Sequence, residues 1–427
     1  MNKNYTVEYD LKIILRAIVI IIIGQVSYMN SSNGLVIVAL LVCAFFSCMI
    51  SSDDLFVFML CILPANRLLT YGSISAPTII MLVALIRKAR FFMCIQKKIF
   101  AFSAMLIGYS VLTIFGETSV FFDSVKIVVM LLFIYKFVDV CNIKDSYYRY
   151  TILGSIGCIC TSLIALLLNP ASITESSRFT FSKNGENVLG IMCAVMAINL
   201  FVILIEKENS NRLGVIILAV FLLGIGFMTG SRSFMLAAAI GVIGIIIMLI
   251  LRMQVGSLLK IVTLFVIGII GAVFLVKNSN FISDYWDSIM YRITKLQAVD
   301  VSNGRYELWK EYLDLFHQQP KYLWLGGLAV GTNGIELVAH NMIIEQIAAY
   351  GIIGSVILIF LYITVLRRLV AESLSRVRWN TFRVAPLIAL LCVSMVSHTL
   401  LGVPQTTMLL ICFLAMFDNG KDNNKEV

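Results

Sequence analysis

Charge is scarce in this chain: of its 427 residues only 13% are Asp, Glu, Lys or Arg, while 60% are hydrophobic and the mean hydropathy is +0.94. A soluble globular domain carries about twice that share of charge, so water is excluded as the main solvent. Neither a CxxC pair nor Cys/His metal spacing occurs. Of the ten cysteines, Cys43, Cys48, Cys61, Cys158, Cys160, Cys193, Cys392 and Cys412 fall inside apolar runs, and Cys94 and Cys141 adjoin basic connections. They read as small core hydrophobes, with neither a disulfide framework nor a metal centre expected. The strict alternation of a lipid-facing strand is missing as well, which argues against a barrel. No small-residue cleavage pattern follows the apolar run Ala17 to Met29, so the first helix reads as a retained signal anchor.

Apolar stretches of membrane-spanning length recur from Leu11 to Phe417, each closed by short polar punctuation. The fold class expected is an all-α integral membrane protein of about 12 to 14 transmembrane helices. Spans are placed near 11–29, 34–50, 55–69, 76–87, 99–115, 125–141, 150–168, 187–205, 213–229, 234–251, 261–276, 342–366, 384–399 and 403–417. The third and fourth are short, and Pro64 interrupts the third, so together they read as a re-entrant pair.

The net charge of +9 comes from short basic clusters between apolar runs rather than from one soluble face, which argues against nucleic acid. Arg87, Lys88, Arg90, Lys97 and Lys98, then Lys144 and Arg149, Lys207 and Arg212, Arg252 and Lys260, and Arg367 through Arg383 occupy alternate connections. The connections between them, Asn30–Asn33 and Gly116–Phe122, hold no Lys or Arg. By the positive-inside rule both termini face the cytoplasm. The organisation expected is transmembrane helices over 1–276, a large extracytoplasmic loop over 277–338, further spans over 339–417 and a cytoplasmic tail over 418–427. Within the loop, Trp309, Tyr312, Leu313 and Phe316 form an apolar stripe with Glu307, Lys310, Glu311 and Asp314 largely off it, the pattern of an amphipathic interfacial helix ending at Pro320. Gly326, Gly327, Gly331 and Gly334 then loosen the chain into a mobile, lid-like stretch.

Basic residues on the outer side run against the positive-inside rule, which singles out Arg178, Arg232, Arg305 and His340. Arg232 follows Ser231 at the outer start of a span, where a capping hydroxyl and free backbone amides suit an anion and a guanidinium fork suits phosphate oxygens. An interfacial anchor is the equally weighted plain reading of that residue. Arg178 and Arg305, taken singly, are ordinary solvated charges. His340 opens the span that follows the loop, at a positive helix end that favours the neutral imidazole, the form able to take a proton; a polar cap is the commoner fate. Glu345, five residues on in an apolar run, is harder to dismiss, because an ionisable group there is costly.

Four elements in this order, Arg178-Phe179-Thr180-Phe181, Gly230-Ser231-Arg232-Ser233, Asn303-Gly304-Arg305 with Trp309, and His340-Asn341 with Glu345 and Gly351-Ile352-Ile353-Gly354, resemble the O-antigen polymerase and O-antigen ligase superfamily of membrane glycosyltransferases. The resemblance covers about Arg178 to Leu366, and before that it is only one of generic apolar helices. It implies transfer of a glycan from undecaprenyl pyrophosphate to a sugar hydroxyl on the outer face of a bacterial plasma membrane, with no metal, cofactor or nucleotide sugar. Arg178, Arg232 and Arg305 would hold the pyrophosphate, His340 would act as general base, and Glu345 would orient it or compete for its role. With no carboxylate pair suited to a covalent intermediate, and Asp284 and Asp287 read as solvated, a single inverting displacement is expected. The partners implied are the lipid-linked oligosaccharide, membrane lipid and a chain-length regulator. A polymerase is preferred to a ligase passing polymer to a lipid A-core or other acceptor. A flippase for the lipid-linked repeat ranks third, since few ionisable groups lie in the spans and no internal repeat is seen.

Overall fold

A computed structural model describes residues 3–51, 54–72, 74–87, 97–113, 118–140, 146–169, 186–206, 212–251, 287, 304–328, 339–371, 382 and 384–395. The expected spans 261–276 and 403–417, and Arg178, lie outside these residues.

The described chain is helical apart from one small hairpin. In order it forms α1 (Lys3–Met29), α2 (Asn33–Met49), α3 (Leu55–Ile62), α4 (Ala76–Arg87), α5 (Lys97–Thr113), α6 (Thr118–Val140), α7 (Ser146–Leu168), α8 (Glu186–Glu206), α9 (Arg212–Met228) and α10 (Arg232–Leu251). After these come α11 (Arg305–Gln318), α12 (Pro320–Leu325), α13 (Met342–Ala371) and α14 (Val384–Ser394). Stretches in α1, α7, α8, α10 and α13 are long and apolar enough to cross a membrane.

Long apolar helices do not sort themselves by hydrophobicity in a bilayer, so polar contacts are informative about how they align. Arg149 at the start of α7 donates to Asp10 of α1 (2.5 Å) and pairs with Asp54 before α3 (2.7 Å). Arg87, closing α4, donates to the Ser47 carbonyl (3.3 Å) and to that of Ile50 at the end of α2. The early part of α1, the α2–α3 connection, the end of α4 and the start of α7 therefore share one end of the bundle. Antiparallel to α7 runs α8, where Tyr147 donates to Asn199 Oδ1 (2.7 Å) and a Cβ on Gly154 would meet the Met196 methyl. The start of α8 consequently lies at the opposite end.

The 3-10 turn Leu63–Ala65 and the antiparallel strands Thr70–Tyr71 and Ile74–Ser75 join α3 to α4. With eight and twelve residues, α3 and α4 extend only about 12 and 18 Å, short of the ~30 Å hydrocarbon core. Moreover the Ala76 carbonyl lies against Cys43 Sγ, midway along α2. The pair thus enters and turns back, with every residue of α3 and of the 3-10 turn Leu63–Ala65 buried, while the hairpin residues Tyr71 and Ile74 are exposed.

One boundary differs from the sequence reading. The expected span 342–366 is interrupted at Gly351 (φ 63°, ψ −180°), dividing α13 into a short leading segment and a long one. The amphipathic helix α11 packs on that leading segment through Leu308, Tyr312, Leu315 and Phe316 against Ala339 and Ala348. Its buried stripe sits one position from the expected one: Leu313 is 58% exposed and Leu315 is buried. Residues 309, 312, 313 and 316 and residues 308, 312, 315 and 316 both satisfy helical spacing, and only the partner surface chooses between them.

Candidate functional site

The site is assembled at the end of the bundle where α8 and α10 begin. Between α9 and α10 the chain reverses at Gly230 (φ 56°), and Thr229 Oγ1 donates to the Gly226 carbonyl (2.6 Å) while accepting from the Ser231 amide (3.3 Å). The Ser231 hydroxyl then accepts from the Phe234 amide (3.4 Å), the expected cap, and donates to Asn187 Oδ1 at the start of α8 (3.0 Å). Close approach here depends on Gly190, where a Cβ would stand 3.0 Å from Ser231 Cβ and from Thr229 Oγ1. Arg232 is the first residue of α10, half-buried and fixed to two helices through its neighbour.

Arg305, far along the chain, feels the charge of Arg232. It opens α11 after Gly304, whose φ of 76° suits glycine, and it is half-buried. Burial first, and the positive charge of Arg232 second, hold the Arg305 guanidinium below its usual pKa. Two arginines that oppose one another in a partly dry setting are poised for a multivalent anion, which would turn the repulsion into shared charge-assisted bonds.

His340 is carried to this group by α11. Trp309, one turn after Arg305, donates its indole N–H to the Ala339 carbonyl (2.7 Å). His340 itself has φ 52°, a left-handed conformation that costs an L residue about 1 to 2 kcal/mol and so needs outside support. Its backbone N–H donates to Glu345 Oε1 (2.8 Å). Asn341 caps the helix, with Oδ1 accepting from the amides of Ile343 (3.0 Å) and Ile344 (3.2 Å). Facing Glu345 from α11 is Tyr312, whose phenol is pushed up to about 12 by burial and then by the carboxylates of Glu345 and Glu311.

Of the five residues expected to act, four are described: Arg232 and Arg305 lie within electrostatic reach of each other, His340 is tied to the helix of Arg305 through its neighbour Ala339, and Glu345 accepts from the His340 amide. Glu345 is corrected in setting. It belongs to the short segment before the Gly351 break rather than to a continuous span, and its carboxylate is spent on a backbone amide. His340 stands at the start of this helix, as expected, one residue before the Asn341 cap. Sequence reasoning missed Asn187 and the hydrogen-bonding role of Trp309. Nothing local in the sequence marks the partners of Asn187 or Trp309. Comparison with protein-family models, curated proteins and solved structures finds no match.

Proposed function

We propose that this chain is a polysaccharide polymerase, transferring glycan from undecaprenyl pyrophosphate to a sugar hydroxyl at the outer face of a bacterial plasma membrane. What supports the reading is that Arg232 and Arg305, two permanent cations from distant segments, lie within electrostatic reach of each other, with Trp309 of the Arg305 helix bonded to the Ala339 carbonyl next to His340. The end of the bundle with Arg87 and Arg149 is then the cytoplasmic one, and the site faces outward.

In this reading the acceptor hydroxyl oxygen attacks the anomeric carbon while that carbon's bond to the pyrophosphate oxygen breaks. The hydroxyl proton passes to the His340 imidazole, a transfer worth typically about 10² to 10⁴ in rate. The leaving pyrophosphate takes the bonding electrons, and its growing charge falls on Arg232 and Arg305, joined by Arg178. A single displacement inverts the anomeric centre. A ligase would use the same donor and the same cradle.

The test is the size profile of surface polysaccharide in a deletion strain carrying wild-type protein, His340→Ala or Arg232→Ala, with membrane expression verified. Product held at one repeat in both variants is the expected result. Long lipid-linked polymer lacking its final acceptor would make the chain a ligase, and a normal profile in both variants would overturn the site.

A further inference from the structure

The Ala339–His340 peptide is held at both of its polar groups. Its carbonyl accepts the Trp309 indole N–H at 2.7 Å, and its N–H donates to Glu345 Oε1 at 2.8 Å. The two grips come from opposite sides of the peptide, one from α11 and one from α13. Ala339 is fully buried between these helices, packed with Trp309, Tyr312, Ile344 and Ala348.

We infer that Trp309 and Glu345 are positioning residues that fix this peptide plane and thereby aim the His340 side chain. The inference rests on the reading of His340 as the base. A residue at φ 52° does not keep that conformation unaided, and rotating the peptide would swing the imidazole away from any substrate. Trp309 adds a second constraint. It sits four residues after Arg305 on the same helix, so its bond sets the spacing between the arginine and the histidine. Proton transfer needs that spacing held closely, and displacement by about 1 Å costs on the order of 10²-fold in rate.

The role assigned to Glu345 needs an acceptor oxygen and no proton chemistry. A glutamine supplies that oxygen; a leucine does not. Glu345→Gln is therefore expected to keep the wild-type polysaccharide profile, and Glu345→Leu and Trp309→Phe to lose on the order of 10²-fold in polymer formation. A spectroscopic readout accompanies these. The chain has three histidines, His317, His340 and His398, so selective ¹⁵N-histidine labelling of the full chain in nanodiscs gives three backbone amide signals, and His340→Ala assigns one of them. That amide proton is expected far downfield in wild type, still downfield in Glu345→Gln, and shifted upfield in Glu345→Leu.

Loss in Glu345→Gln equal to that in Glu345→Leu would overturn the proposal, because the carboxylate would then be working as an acid or base. Full activity in both Glu345→Leu and Trp309→Phe would overturn it too, while loss in His340→Ala left the reading of the base intact. Activity in His340→Ala would remove that reading alone, with the amide signals still deciding whether the peptide is gripped. Should Glu345→Leu fail to accumulate, Glu345→Gln, Trp309→Phe and the His340 amide carry the decision.

Discussion

Gly326 and Gly351 cross backbone to backbone: a Cβ on Gly326 would lie 2.3 Å from the Gly351 nitrogen, and one on Gly351 would lie 2.4 Å from the Trp324 carbonyl oxygen. Around this crossing the amides of Gly327 and Leu328 donate to the carbonyls of Ala349 and Ala348 (both 3.0 Å), and Tyr109 of α5 donates to the Leu325 carbonyl (2.7 Å). Carbonyls freed where α13 breaks are thus taken up by the segment after α12. A stretch that its glycines mark as loose is, at this point, clamped.

The first prediction follows from that crossing. Gly351 has a φ/ψ pair that only glycine occupies readily, so Gly351→Ala is expected to cost at least about 3 kcal/mol, strain and clash together. Gly224→Ala, where a Cβ meets nothing within 4 Å, is the control and is expected to be neutral or to gain about 0.5 to 1 kcal/mol. Thermal unfolding in nanodiscs compares the two, and equal behaviour would mean that the break is not obligatory.

The opposed arginines make a prediction about anions. Adding pyrophosphate should raise the unfolding temperature of wild-type protein, since a ligand that binds only the folded state stabilises it by mass action, about 2.7 kcal/mol at a hundred times its Kd. Arg305→Gln is expected to abolish that rise. A destabilised Arg305→Gln that still responds to pyrophosphate would show the pair to be structural.

At the other end, Arg149 bridges Asp10 and Asp54, its side chain 31% exposed and theirs 22% and 15%. Removing the cation leaves two carboxylates facing each other, whereas removing Asp10 leaves the Asp54 pair in place. Arg149→Gln is therefore expected to lose more stability than Asp10→Asn, about 2 kcal/mol for the former after allowance for solvent. Thermal unfolding at neutral pH checks the order. The reverse order would mean that the network does not anchor the re-entrant pair.

Much of the scaffold was legible because bilayer thickness and local capping write themselves into neighbouring residues. The apolar run ending at Met29, the shortness of the Leu55 and Ala76 segments and the Ser231 cap each follow from a few adjacent positions. What stayed hidden depends on partners distant in the chain. No periodicity puts Arg305 beside Arg232, and the same apolar spacing serves a stripe through Leu313 or one through Leu315. Backbone conformation was equally silent at Gly351, where a run of apolar residues reads as one span although φ turns positive inside it. Glu345 looked like a costly charge in lipid because the apolar run hides that it stands in the first turn of its helix, where its carboxylate accepts from the His340 amide.

Tyr312 supplies a pH dependence whose sign can be worked out. An ordinary phenol loses its proton near 10. In the folded protein burial, and then the nearby carboxylates, hold this one to about 12. Between those values the unfolded chain has released the proton while the folded chain retains it, so stability present below about pH 10 is lost as the pH rises towards 12. Wild-type protein is expected to lose unfolding temperature more steeply over that window than Tyr312→Phe, which has no proton to release. Glu345→Gln should end the loss at a lower pH with a smaller total, since it removes one of the charges opposing the phenolate while burial, the larger cause, persists. Parallel curves for wild type and Tyr312→Phe would mean that the phenol does not face the carboxylate beside His340, and with it would go the packing of α11 on which the grip of Trp309 depends.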